Sequence, residues 1–256
     1  MMIIRLVMVF LVACGCEVTR DTRKENIEAS NWKEVERIVD ERVGTSKEGV
    51  LFFVDVDNVL TFTDHPCTYP NNVKEHCGSF KGKSAQEIND AWGRVFMNNP
   101  QKTIDGFAPV LIRDWQTKGG KVLGLTSLVA GEDNTVFLRR AWNLQSTFGV
   151  LPSYELLHKV VPGHLVLSLA CATTNGDKVS KGVAICEILP LLKSKPKAIV
   201  FIDDSEKNLE SARKEIPGDY HVITIHYTGY KTQIPQAQVT REQFEDFWKQ
   251  YFPPQK

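Results

Sequence analysis

Three apolar runs in the sequence each end in polar side chains that could carry out chemistry together. These side chains are Asp55 and Asp57 after LFFV, Thr126 and Ser127 after VLGL, and Asp203 and Asp204 after IVFI. Carboxylates at the ends of buried runs cost free energy unless a cation compensates their charge. A hard divalent cation, of which Mg²⁺ is the simplest choice, prefers oxygen ligands and keeps positions open for water and phosphate. The pattern therefore predicts a magnesium site.

These residues can meet only if the three runs are neighbouring strands of one sheet. Residues 50–56 are apolar until the acids begin, which is typical of a strand buried on both faces of a parallel sheet. Strands alternate with helices along most of the chain, and this predicts an α/β fold, a Rossmann-like parallel sheet with helices on both faces. Right-handed crossovers bring the carboxyl ends of such strands to one edge, where ligands bind.

The remaining elements follow from hydrophobic periodicity and from capping residues. They are helices at 31–43, 84–97, around 107–118, near 133–145, 180–195 and 240–252, strands at 121–127 and 220–227, a strand–turn–helix unit at 197–216, and a hairpin strand within 150–175.

Lys181 is predicted to open a helix capped by Ser180 and to add an ammonium group to the site. Three assignments leave an alternative open at this stage. Ser127 competes with Thr126 for the hydroxyl position, Lys178 competes with Lys181, and Asp203 competes with Asp204 as the metal ligand.

The order of these motifs resembles that of the haloacid dehalogenase (HAD) superfamily. The matching stretches are DVDNVL, LTS, SKG and IDDSEKN, and the resemblance covers roughly residues 48–230. The stretches KPKAIVFIDDSEKNLES and VITIHYTGY are also similar to a poorly characterised bacterial family of HAD-like proteins, a domain of unknown function. A first motif with two aspartates is typical of the phosphatases and phosphotransferases of the superfamily and not of its dehalogenases.

The resemblance implies a role for each residue that matches a motif. Asp55 would be the nucleophile that accepts the phosphoryl group and becomes an aspartyl phosphate. Asp57 would protonate the leaving group and then activate the hydrolytic water, as general acid and base. Thr126 and Lys181 would hold the oxygens of the transferring phosphoryl group.

The resemblance also implies the ligands of Mg²⁺. They would be the carboxylates of Asp55 and Asp204 with the backbone carbonyl of Asp57, supported by Asp203 and Asn208 directly or through water. In this last motif Asn208 stands where an acid is common, which weakens the negative charge near the metal. The six histidines of the chain show no metal-ligand spacing and are interpreted as surface or packing residues.

The function implied is that of a Mg²⁺-dependent phosphomonoester hydrolase acting on a small phosphorylated substrate. Asn58 and Val59 replace the Gly-Thr pair that many family members have after the second aspartate, a change that bears on affinity more than on reaction type. The alternatives are a phosphotransferase that uses the same residues and a non-catalytic HAD-fold binding protein of the cell envelope.

The charge balance does not indicate a nucleic-acid partner. Lysine and arginine together number 31, as do aspartate and glutamate together, and the sequence has no basic stripe of the kind that binds nucleic acid.

Residues 63–103 interrupt the α/β alternation and are predicted to form a small, mainly helical cap insertion of the kind that selects substrates. Trp92, Arg94 and Phe96 are candidate substrate contacts there, although a helix packing face explains the aromatic residues equally well. Cys67 and Cys77 lie in the same segment and could form a disulfide in an oxidising compartment.

The N-terminus predicts export. Residues 1–16 carry one positive charge, an apolar stretch and then small residues, which is typical of a signal peptide. The stretch LVAC resembles the lipobox of bacterial lipoproteins, in which Cys14 would carry the lipid anchor to a membrane of the cell envelope. Residues 17–30 would act as a tether within an N-terminal segment that ends at 47, and 48–256 would form the HAD-like domain. The alternatives are an ordinary signal peptide cut elsewhere and a core strand.

Overall fold

A five-stranded parallel sheet lies at the centre of the protein, in a computed structural model that describes residues 26–126, 180–192 and 194–252. Its five strands are β1 (Asn26–Ala29), β2 (Val50–Val54), β5 (Lys121–Gly124), β6 (Ala198–Asp203) and β7 (Val222–Tyr227). The strands β3 (Thr61–Thr63) and β4 (Gln101–Thr103) form a small second sheet. The α-helices are α1 (Trp32–Val43), α2 (Pro70–His76), α3 (Ala85–Asn98), α4 (Ala108–Thr117), α5 (Lys181–Ile188), α6 (Glu206–Glu215), α7 (Tyr230–Gln233) and α8 (Arg241–Lys249). The predicted α/β class is confirmed.

The strand order in the large sheet is β1-β7-β6-β2-β5, and every pair within it is parallel. The described chain runs from β2 to its neighbour β5 on one side and continues later with β6 on the other side. The order therefore reverses around β2, which makes the carboxyl end of β2 a topological switch point. Ligands of open α/β sheets bind at such points.

The side chains of β2 alternate between two hydrophobic layers, one on each face of the sheet. Phe52 points into the layer with Trp32 and Trp115, which α1 and α4 supply, and its ring stacks on that of Trp115 at 4.2 Å. Phe53 points into the opposite layer with Ile185 of α5. Full burial of such side chains stabilises the fold by roughly 1.5–3 kcal/mol each, so β2 is anchored from both sides.

Several helices begin at residues whose side chains cap them. Asn31 caps α1 by accepting from Glu34 N at 3.0 Å, and Ser180 caps α5 by accepting from Val183 N at 3.2 Å. Ser84 caps α3 in a reciprocal pair with the side chain of Glu87. Each of these bonds satisfies a backbone donor that a helix start would otherwise leave unpaired.

The structure corrects the last part of the tether predicted at 17–30. Residues 26–29 form β1 at the edge of the sheet, where Ala29 is in register with Tyr227 of β7. The stretch NIEA is short and half polar, so its composition did not reveal a strand. Because α1 also packs into the core through Trp32, the folded unit extends N-terminal to the predicted boundary at residue 48.

The insertion predicted at 63–103 is mainly helical, as expected. Strands β3 and β4 pair antiparallel at its base, and the segment between them contains α2, α3 and two short 3₁₀ turns. The C-terminal helix α8 packs on this insertion through a cluster centred on Trp248. The indole nitrogen of Trp248 donates to the Cys67 carbonyl at 3.2 Å, which ties the two segments together.

Of the candidate substrate contacts in the insertion, Trp92 and Arg94 pack against the C-terminal segment, and Phe96 packs on Trp92. The ring of Trp92 lies 4.6 Å from that of Trp248 and 5.5 Å from that of Phe96, and Arg94 Nε donates to the carbonyl of Tyr251 at 2.7 Å. Of the two interpretations of these residues, the structure supports helix packing.

The proposed disulfide is not formed. Cys67 is buried, with its thiol 3.6 Å from the carbonyl of Gln243, while Cys77 is exposed, and both are free thiols. Proximity in the sequence did not translate into paired side chains, because the buried thiol faces α8.

Some predictions lie outside the described residues. They are the signal peptide, the lipobox with Cys14, the helix near 133–145, the hairpin strand within 150–175, and the alternatives Ser127 and Lys178. Within the described ranges, no helix combines the length and apolarity needed to cross a membrane.

Candidate active site

The strand ends that the sequence singles out meet at the switch point. Asp55 directly follows β2, Asp203 is the last residue of β6, and Thr126 lies two residues beyond β5. Backbone hydrogen bonds continue past the strand ends: the Asp55 amide donates to Ile202 O at 2.9 Å, and the Leu125 amide donates to Val54 O at 2.8 Å. Sheet pairing therefore places these side chains at one edge.

Lys181 lies between two of the carboxylates and is almost completely buried. Its Nζ is 2.7 Å from Asp55 Oδ1 and 2.7 Å from Asp203 Oδ2, and only 3 % of the side chain is exposed. A buried ammonium group is tolerated when it is paired and hydrogen-bonded in this way. Lys181 thus joins the end of β2 to the end of β6.

Gly182 explains how α5 can bring Lys181 so close. A Cβ atom at this position would lie 2.3 Å from the carbonyl oxygen of Ser211 in α6, so no other residue fits. The Gly182 amide donates to the Ser211 hydroxyl at 3.0 Å. The glycine of the SKG stretch therefore allows the start of α5 to pack against α6 and to direct Lys181 into the site.

The two adjacent aspartates differ in what they contact. Asp203 has donors at both of its oxygens: Oδ2 accepts from Lys181, and Oδ1 accepts from the Ser205 amide and from Asn208 Nδ2, both at 2.9 Å. Asp204 accepts from Asn58 Nδ2 at 3.0 Å and lies partly buried beside the pocket. These contacts favour Asp204 over Asp203 as a metal ligand and give Asp203 the task of fixing Lys181 and Asn208.

Asn58 occupies a left-handed backbone conformation with φ of +62°. Glycine adopts this region without strain, and asparagine is among the few other residues that enter it readily. Asn58, which stands where many HAD proteins have glycine, can therefore adopt the same left-handed turn after β2. It adds an amide that contacts Asp204, which glycine could not provide.

Asp57 contacts the buried Thr126. The Thr126 hydroxyl donates to Asp57 Oδ2 at 3.2 Å. Asp57 is more exposed than Asp55, and both line the same pocket. A carboxylate in this position can exchange protons with a substrate or with water.

Three carboxylates are close enough to hold one metal ion. Asp55, Asp203 and Asp204 each offer an oxygen, and these oxygens lie within 4.8 Å of one another. The carboxylate of Asp57 does not belong to this group, which leaves its backbone carbonyl as its predicted contribution. An all-oxygen donor set fits a hard divalent cation such as Mg²⁺.

The charges in the cluster are unbalanced without a cation. The pKa of Asp55 is raised to about 6, because burial, with the charge of Asp204 adding to it, outweighs the opposing effect of Lys181. Burial also raises the pKa of Asp203 and of Asp204 to about 6, with the charges of Asp55 and Asp203 respectively adding to the effect. Three acids and one ammonium group therefore carry an excess of negative charge at neutral pH, which a bound cation would relieve.

The site opens into a pocket of about 450 Å³. Four further polar residues, which the sequence motifs did not indicate, also line this pocket. They are Ser180, Ser205, Lys207 and Ser211. Their signal in the sequence was weak, since serines and a lysine near helix starts are usually caps or solvated side chains.

Two residues behind Asp204 were also missed. His226 Nε2 lies 3.1 Å from the backbone oxygen of Asp204, and the register pairs His226 with Asp203. Burial raises the pKa of Tyr230, and the charge of Asp204 adds to this effect. Both residues belong to the stretch HYTGY at the end of β7. Because β7 pairs with β6, a prediction of the strand order would have placed this stretch next to Asp203 and Asp204.

Fold and site together define an α/β protein with an acidic, lysine-bridged cluster at the switch point of its parallel sheet. Residues 28–252 match the family described as "protein of unknown function (DUF2608)", and the chain belongs to this family. The prediction of a family of unknown function is thereby confirmed. No curated protein matches the sequence.

Proposed function

We propose that the protein is a Mg²⁺-dependent phosphomonoester hydrolase of the HAD type that works through an aspartyl phosphate on Asp55. The observation that carries this proposal is the position of Asp55 at the switch point, within reach of Asp204 and bound to Lys181 at 2.7 Å. Nucleophile, cation ligands and a positive charge for the phosphoryl group thus lie in one pocket.

The hydrogen bonds of Asp55 suggest which of its oxygens attacks. Oδ1 accepts from the Val56 amide at 2.7 Å and from Lys181, so Oδ2 is the oxygen left for the phosphorus atom. In the first step an O–P bond forms at Asp55, and the bond between phosphorus and the leaving alcohol breaks. The carboxylate must be ionised to attack, and a cation beside it favours that form.

Asp57 supplies the proton that the leaving alcohol takes up. In the second step it removes a proton from water, whose oxygen attacks phosphorus and displaces the Asp55 carboxylate as inorganic phosphate forms. Asp57 thereby regains its proton, and Asp55 returns to its starting state. The position of Asp57 at the pocket, beside the Thr126 hydroxyl, supports this role.

Asp55 and Asp204, with the Asp57 carbonyl, would hold Mg²⁺, which supplies charge neutralisation at the phosphoryl oxygens when bound. Lys181 provides a fixed positive charge beside Asp55, where Asp203 orients it. Preorganised charges of this kind stabilise a transition state without rearrangement during the reaction.

The test is a screen of phosphorylated metabolites with Mg²⁺ that measures the release of inorganic phosphate. The wild type should hydrolyse at least one compound, and Asp55→Asn should lose turnover because the amide is a poor nucleophile of the same shape. Asp219→Asn is a matched control, since Asp219 is exposed and pairs with Lys195 away from the pocket. Borohydride reduction during turnover should convert Asp55 into homoserine, which mass spectrometry of its peptide detects.

The outcomes separate the alternatives. Retained activity in Asp55→Asn would rule out the covalent mechanism. Phosphate transfer to an added alcohol in preference to water would identify a phosphotransferase. Mg²⁺ binding without turnover of any compound would favour a non-catalytic binding protein.

A further inference from the structure

The described residues that line the pocket in front of the acidic cluster are all of polar or charged types. All of its described lining residues carry a charge, an amide or a hydroxyl group. Binding pockets are usually lined mainly by apolar side chains, so this composition carries information about the ligand. It favours a small, hydrophilic organic group over an aromatic ring or an acyl chain.

Lys207 extends this lining on one face of α6. Lys207, Asn208 and Ser211 of α6 all line the pocket, and Ser211 lies four residues from Lys207 and three from Asn208, which puts them on one side of the helix. Lys207 is exposed, whereas the neighbouring Asn208 is partly buried and bound to Asp203. The ammonium group thus belongs to the outer part of the pocket.

The charge of Lys207 is free for a ligand as far as the described residues go. Glu206, the acid next to it in sequence, pairs with Arg213, and no described carboxylate forms an ion pair with Lys207. Lys181, the other lysine of the pocket, already bridges Asp55 and Asp203. The start of α6, with its partial positive charge, lies beside Lys207 and favours an anion at the same place.

We propose that Lys207 binds a second anionic group of the substrate, so that the preferred substrates are small phosphomonoesters that also carry a carboxylate or a second phosphate. The inference rests on the proposed function, because it assumes that the first phosphoryl group lies against Asp55. It adds the class of substrate, which the acidic cluster alone does not define.

The test compares two substrates that differ in one group: 3-phosphoglycerate, which carries a carboxylate, and glycerol 3-phosphate, which has a hydroxymethyl group there. The wild type should have the higher kcat/KM for 3-phosphoglycerate. In Lys207→Gln the ratio of the two kcat/KM values should fall about fivefold, the effect of one solvent-exposed ion pair. Lys214→Gln is the matched control, because Lys214 is exposed on the same helix outside the pocket, and it should keep the wild-type ratio.

A binding measurement separates this inference from the proposed function. Calorimetric titration of Asp55→Asn with both compounds in the presence of Mg²⁺, with and without Lys207→Gln, gives the ratio of the Kd values without turnover. If the wild type hydrolyses no compound of the metabolite screen but the ratio of Kd values depends on Lys207, the proposed hydrolase function is wrong while the anion site stands. If Lys207→Gln leaves the ratio of the kcat/KM values or of the Kd values unchanged, the proposal that Lys207 binds the second anionic group is wrong. A comparable fall in Lys214→Gln would equally overturn it, because the effect would then be one of overall charge.

Discussion

Asn58 donates a hydrogen bond to Asp204 at 3.0 Å although 146 positions separate the two residues in the sequence. The contact joins the turn after β2 to the end of β6, and the turn itself holds Asn58 at a φ of +62°. Residues in such sparsely populated conformations are concentrated at functional sites. We infer that Asn58 fixes the orientation of Asp204, one of the ligands of the proposed metal site.

Asn58→Gly should weaken Mg²⁺ binding about tenfold, because loss of a hydrogen bond to a metal ligand typically has an effect of this size. Glycine keeps the left-handed turn, so the free energy of unfolding should change by less than about 1 kcal/mol. Calorimetry gives the affinity, and urea unfolding gives the stability. Asn98→Ala is the control, since Asn98 is exposed on α3. Wild-type Mg²⁺ affinity in Asn58→Gly would show that Asp204 needs no such support.

The stability of the metal-free protein should fall as pH rises from about 4 to about 7. The pKa values of Asp55, Asp203 and Asp204 are raised to about 6 in the folded state, so the folded protein binds more protons than the unfolded chain in this range. The contribution to stability is therefore present below the unfolded pKa and is lost as pH passes the folded value. Mg²⁺ should oppose this loss, and its effect on Tm should grow with pH. Melting curves with EDTA and with Mg²⁺ across this range provide the test, and a stabilisation by Mg²⁺ that is equal at all pH values would contradict the metal assignment.

Asp55→Asn should stabilise the metal-free protein at about pH 8 by roughly 1–3 kcal/mol, since a shift of one pKa unit corresponds to about 1.4 kcal/mol. The amide removes one of three buried negative charges and leaves Lys181 paired with Asp203. Below about pH 4 the gain should vanish, because Asp55 is then protonated in both states. Urea unfolding with EDTA measures this difference. A variant less stable than the wild type at high pH would show that the Asp55–Lys181 pair outweighs the repulsion among the carboxylates.

The acidic cluster was predictable from the sequence because its signals are local. An apolar run that ends in Asp55, or in Asp203 and Asp204, marks a strand end, and parallel strands bring such ends to one edge. Lys181 was predictable for a similar reason, since Ser180 marks the start of its helix. The sequence alone therefore predicts that these residues belong to one site.

Other parts depend on tertiary placement and left little trace in the sequence. The strand β1 exists because β7 offers an open edge, not because NIEA has strong strand propensity. His226 reaches Asp204 only because β7 pairs with β6 in one register. The aromatic face of α3 was ambiguous between substrate and core until α8 was seen to pack on it through Trp248.

Trp248→Ala should destabilise the protein by about 3–5 kcal/mol, the usual cost of removing a buried tryptophan side chain. Trp248 is 2 % exposed and links α8 to the insertion through its ring contacts and through its hydrogen bond to Cys67. Hydrogen exchange should accelerate in α3 and α8 before it does in β2 and β6. Leu191→Ala is the control, since Leu191 is exposed. If exchange instead rises equally in β2, the insertion is not a separate layer but part of the central core.

Lys181→Met should destabilise the metal-free protein by about 3–5 kcal/mol at about pH 8, because it leaves Asp55 and Asp203 buried without their partner. The loss should shrink as pH falls below about 6, where both carboxyls take up protons in the folded state. Urea unfolding with EDTA at several pH values measures this dependence. Lys195→Met removes an exposed ion pair and should change stability by less than about 1 kcal/mol at any pH. A loss in Lys181→Met that does not depend on pH would mean that Lys181 stabilises the fold by packing, and its proposed electrostatic role between the two aspartates would then be wrong.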